Sequence, residues 1–153
     1  MDFDFFGLPI FSMSERRMEY SWDLKKMTES LLMHMLLLHY CKGNSAVNHW
    51  RGEAFGAVPH TLNTFKGTHR YPNAGFLKHS LYEHASDSIG VLGLFKGKLR
   101  DEGIAEPQIL DASFFPVMQS VIEPALGEVC DLLAREKKIE AFEFYAILDK
   151  YGL

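Results

Sequence analysis

Hydrophobic positions recur at steps of three and four along most of this chain, the period of amphipathic helices. Leu24, Met27, Leu31, His34, Leu38 and Cys41 form one stripe, which predicts a helix over about 21–41 with Ser21 as N-cap and Asp23 near its positive end. Residues 31–38 read Leu-Leu-Met-His-Met-Leu-Leu-Leu, so the remaining faces are apolar as well. A helix apolar on every side belongs in the middle of a bundle. Gly43 and Asn44 are expected to end it. A second helix is predicted from Ala46 to about Val58, with Trp50, Ala54, Ala57 and Val58 on one side and Pro59 stopping or restarting it. Residues 66–75, Lys-Gly-Thr-His-Arg-Tyr-Pro-Asn-Ala-Gly, have the composition of a loop. The stepping resumes through Leu77, Leu81, Ala85, Ser88, Leu92, Phe95 and Leu99. It predicts a helix over 76–89 and then a weaker, broken one to about 101, because Gly90, Gly93 and Gly97 each cost about 1 kcal/mol against Ala.

Residues 101–112, with Pro107, read as a loop, and Ser113 as the cap of a helix beginning Phe114-Phe115-Pro116. Pro124 must kink or restart that helix, after which Leu126, Val129, Cys130 and Leu133 form a clean face. Ala141, Phe144, Tyr145 and Leu148 do the same in a last helix closed by Gly152. No segment alternates as a strand does. The expected fold is all-α, a compact single-domain bundle of five to seven helices over 21–153, preceded by an extended aromatic arm over 1–20. Phe3, Phe5, Phe6, Ile10 and Phe11, set around Gly7-Leu8-Pro9, are too apolar for a free tail. The arm is expected to pack on the domain or on a partner, with Phe3, Phe5, Phe6 and Phe11 making the contacts.

Composition narrows the classes. The 153 residues are 47% hydrophobic and 24% charged, which excludes a disordered, collagen-like or rod-like chain. Cys41 and Cys130 have no ligand-type spacing and read as reduced core thiols. The longest apolar run, 31–38, is far short of the roughly 20 residues of a membrane span. Acidic Met1-Asp2-Phe3-Asp4 is unlike the positive start of a secretory signal. A cytoplasmic protein with no membrane association is the expectation. The net charge of −4 is uneven: residues 1–100 hold 12 Lys/Arg against 9 Asp/Glu, and 101–153 hold 4 against 11. The basic excess of the first part is small and scattered, so nucleic-acid binding is not favoured.

The chemistry-bearing residues are few. A His-x3-Glu pair occurs at His49/Glu53 and again at His79/Glu83. Residues four apart share a helix face, so two such pairs side by side would offer zinc or iron a two-histidine, two-carboxylate site. Exposed pairs of this kind are more commonly solvated surface. The second pair belongs to an echo at an offset of 30, which also matches Phe65-Lys66-Gly67 with Phe95-Lys96-Gly97, and chance accounts for it best. His34, on the core stripe, reads as a histidine satisfied inside the core. Lys66, His69, Arg70 and Tyr71 could hold an anion or stack on a base, although an ordinary polar connection is the commoner use of such residues. No phosphate loop, dinucleotide fingerprint, nucleophile elbow, HExxH or calcium loop occurs. The function expected from all this is a small helical interaction or regulatory module without catalysis or cofactor. It would bind another protein or a second copy of itself. A metal-binding bundle with hydrolase chemistry and a nucleic-acid-associated protein are the alternatives.

Overall fold

The computed structural model describes residues 29–67, 88–135 and 138–153. All secondary structure among them is helical, with no strand. Helix α1 covers residues 29–40. It is followed by α2 (Val47–Gly67), α3 (Ser88–Asp101) and α4 (Leu110–Val117). A π-helical turn (Met118–Ile122) carries α4 without a break into α5 (Glu123–Ala134), and α6 (Ala141–Lys150) ends the chain. Counting the continuous 110–134 rod once gives five helices among the described residues, and the fold is all-α as the periodicity predicts.

The stripes find each other. All of 31–38 is buried, so α1 is the central helix that its all-round apolarity demands. Trp50, Ala54 and Val58 of α2 and Val91, Phe95 and Leu99 of α3 join its core. Phe114, Leu126, Val129, Phe144 and Leu148 complete it from the later helices. Cys130 is buried and Cys41 half-buried, and both are free thiols.

Helix ends follow one rule. The last carbonyls of a helix need donors from beyond it, and a glycine at positive φ lets the chain turn back to supply them. Gly152 (φ 71°) does so after α6, where the Leu153 amide donates to Leu148 O at 2.8 Å. Gly103 (φ 70°) repeats this after α3, where the Ile104 amide donates to Leu99 O at 2.8 Å. Gly43 does not adopt positive φ. Asn44 acts at the start of α2 instead, its Oδ1 accepting from the Ala46 amide at 2.8 Å.

Local expectations fail where packing outweighs them. α2 runs on through Pro59 to Gly67, because a proline removes only one rung of the ladder and a helix resuming beyond it keeps the rest. Lys66 therefore lies in the last turn of α2 and not in a loop. α3 is unbroken despite its glycines. Burying Val91, Phe95 and Leu99 contributes roughly 1.5–3 kcal/mol each, more than about 1 kcal/mol lost per glycine. Ser113 does not cap: the helix has begun at Leu110, and the Ser113 hydroxyl donates back to Ile109 O at 2.6 Å. That leaves its oxygen to accept from the Tyr40 hydroxyl at 2.7 Å, which ties the end of α1 to α4. Pro124 falls in the first turn of α5, where the helix passes out of the π-helical turn without breaking. Its ring would press on the carbonyl four residues earlier, at Ser120, and Ser120 lies in the wider π-helical turn. The echo is not used alike in its two places: Phe65-Lys66-Gly67 finishes α2, whereas Phe95-Lys96-Gly97 lies inside α3. The arm over 1–20, the start at Ser21 and Asp23, and residues 76–87 of the helix expected over 76–89 lie outside the described residues.

Candidate functional site

Helices α1 and α2 bring three titratable side chains to one point. His34 is 7% exposed. Residues four apart on a helix share a face, so the Ser30 carbonyl is within its reach, and His34 Nδ1 donates to it at 2.7 Å. The other ring nitrogen, Nε2, lies 2.8 Å from Glu53 Oε2 on α2. One turn earlier on α2, His49 places its Nε2 2.9 Å from Glu53 Oε1. A single carboxylate thus spans two imidazoles and ties α1 to α2.

The hydrogen-bond inventory of this cluster limits its chemistry. A carbonyl only accepts, so Nδ1 of His34 carries a proton. The hydrogen bond from His34 holds the Glu53 carboxyl below its ordinary value; partial burial opposes this, and the charges of His49, His34 and Lys98 reinforce it. A general base needs a nitrogen lone pair facing its substrate, and both nitrogens of His34 are committed within the fold. His34 is therefore the satisfied core histidine that its place on the stripe suggested.

The same sign applies at Glu128. The Tyr151 hydroxyl donates to Glu128, Lys150 pairs with it at 3.0 Å, and both hold that carboxyl below its usual range. A carboxyl with a depressed folded-state pKa binds fewer protons folded than unfolded, so its stabilisation is complete above about 4.5 and is lost as pH falls through the folded value. Urea denaturation followed down from neutral pH is expected to show falling stability below that point. Glu53→Gln should flatten the decline, and an unchanged slope in that variant would remove Glu53 from the account.

Beside the tie runs a groove of about 470 Å³ between α1 and α3. Glu29, Ser30, Met33 and His34 line it from α1, and Gly93, Leu94, Gly97, Lys98 and Asp101 from α3. Gly93 and Gly97 are four apart and so share a face. A Cβ at Gly93 would meet nothing within 4 Å, and one at Gly97 would meet only the Arg100 guanidinium at 3.9 Å. Leu94, on the same wall, is 50% exposed. Gly93→Ala is accordingly expected to raise stability by about 0.5–1 kcal/mol through helix propensity alone. A loss in urea melts would mean that another group already covers this notch.

The structure brings His49 and Glu53 together and adds His34, a contact between positions 19 apart that no local spacing discloses. His79 and Glu83 lie outside the described residues, and among those described no group of three or more His, Cys, Asp or Glu side chains could hold a metal ion. His69, Arg70 and Tyr71, with Phe3, Phe5, Phe6 and Phe11, also lie outside them. The groove has one signal in the sequence, the four-residue spacing of Gly93 and Gly97, which by helix propensity alone marks only a weak helix. Among the described residues no helix is long and apolar enough to cross a membrane. Comparison with known proteins finds no matching family model, curated protein or solved structure.

Proposed function

We propose that this protein is a non-enzymatic binding module of the cytoplasm that takes an apolar segment of a protein partner into the groove between α1 and α3. The observation that carries this reading is the open notch at Gly93 and Gly97 beside half-exposed Leu94. A glycine wall lets a bound side chain approach the helix backbone, and Met33 and Leu94 supply apolar contact. The volume lies within the roughly 300–1,000 Å³ of typical ligand pockets. A hydrophobic groove between helices is a recurring form in which proteins accept apolar peptide segments. The commitment of both His34 nitrogens supports binding over acid–base chemistry.

The test is selection of a displayed peptide library on the full-length protein, with every hit re-measured against Gly93→Leu. Because space at Gly93 is open, that leucine fills the groove without displacing the core. Peptides with apolar anchors should bind the native chain and lose at least about tenfold in affinity on the filled one, which is about 1.4 kcal/mol. Hits that ignore the substitution, or no hits at all, would refute the groove as the binding surface.

A further inference from the structure

Resting on the groove reading above, we propose that the segment taken by the groove is a basic one, with a lysine or arginine about 6 Å from its apolar anchor that pairs with Asp101. Gly93, Gly97 and Asp101 follow one another at steps of four along α3, so they form one row on its surface. All three line the groove. The row leads from a notch at Gly93, where a Cβ would meet nothing within 4 Å, to a carboxylate one turn beyond Gly97. A segment lying along the row sets its anchor against the glycines and a neighbouring side chain against Asp101.

Charge decides which segment fits. Asp101 is exposed, and its carboxylate makes no ion pair among the described residues. It stands in the last turn of α3, at the negative end of that helix, where an anion is unfavourable and a cation is favoured. The other charges of the groove leave it uncompensated. Glu29 adds a second carboxylate to the lining. Lys98, the lysine of the lining, is held 3.2 Å from Glu102, and both ring nitrogens of His34 are committed to Ser30 and Glu53. Arg100 is not among the lining residues; its guanidinium comes within 3.9 Å of where a Cβ on Gly97 would stand, and it makes no ion pair with Asp101. A lysine or arginine on the incoming segment supplies the missing countercharge, while Met33 and Leu94 receive its apolar neighbour.

The experiment extends the displayed-library selection to a double-mutant cycle. Hits that lose affinity on Gly93→Leu are synthesised, each with a counterpart in which the lysine or arginine is replaced by glutamine. Both peptides are titrated against the full-length native chain and against Asp101→Asn, an exposed substitution outside the core. The Gly93-dependent hits should be enriched in lysine and arginine over the unselected library. Asp101→Asn should weaken the basic peptide about threefold to fivefold, as expected of an exposed ion pair, and leave its glutamine counterpart unchanged. Raising the salt from about 0.1 M to about 1 M shortens the screening length from about 10 Å to about 3 Å and should erase the difference between the two peptides. Hits without a basic preference, or a loss on Asp101→Asn that the glutamine peptide shares, would overturn this proposal and leave the groove reading standing. A preference for acidic segments would assign the contact to Arg100 and overturn it likewise. If no peptide depends on Gly93, the groove reading falls and this inference with it.

Discussion

Trp50→Ala is expected to cost about 3–5 kcal/mol of folding stability. Trp50 is 1% exposed and is the largest side chain that α2 contributes to the core. Replacing it removes an indole from a site walled by a central helix that is itself buried, so the cavity has little means of collapsing. The neighbouring ties do not compensate. Half-buried Arg51 reaches exposed Asp149 at 2.8 Å, and ion pairs with a solvated partner contribute at most about 1 kcal/mol. Phe55 stacks on Phe144 at 5.6 Å and would remain as the main apolar link from α2 to α6. Urea denaturation of the variant against the native chain measures the effect. A loss under about half a kcal/mol, the size expected of surface changes, would mean that α2 does not depend on this anchor.

Leu31→Ala and Leu38→Ala are each expected to cost about 2–5 kcal/mol. Both residues are at most 1% exposed and lie two turns apart on α1. An amphipathic surface helix can shift towards a vacated site, whereas α1 is held from every side and cannot approach one gap without opening another. The two losses should add within a few tenths of a kcal/mol in the double variant, because the sites are about 10 Å apart along the helix. If both substitutions cost less than about half a kcal/mol, α1 is not the central element and the core has been placed wrongly.

Much of this was legible in the amino acids. The run at 31–38 announced a central helix because no arrangement with a solvent-facing side can accommodate it. Phe144 and Leu148, four apart and followed by Gly152, disclosed a helix and its end. These features are local, and the physics that produces them, side-chain period and glycine's tolerance of positive φ, acts within a few residues. The exceptions share one cause. Ser113 and Gly93 carry local preferences worth about 1 kcal/mol each, and neighbours distant in sequence overrode them.

The sequence by itself thus determined the all-α class, the buried stripes and their anchors, and the ending of α6. Only the tertiary structure decided that Glu53, exposed by its helical period, would accept from buried His34. It likewise decided that α3 would stay whole and turn its glycines to an open groove. A helical period states which residues share a face of one helix, but not which face of another helix will meet it. That choice belongs to the packing of whole stripes, where burial of several apolar side chains outweighs any single proline, serine or glycine along the way.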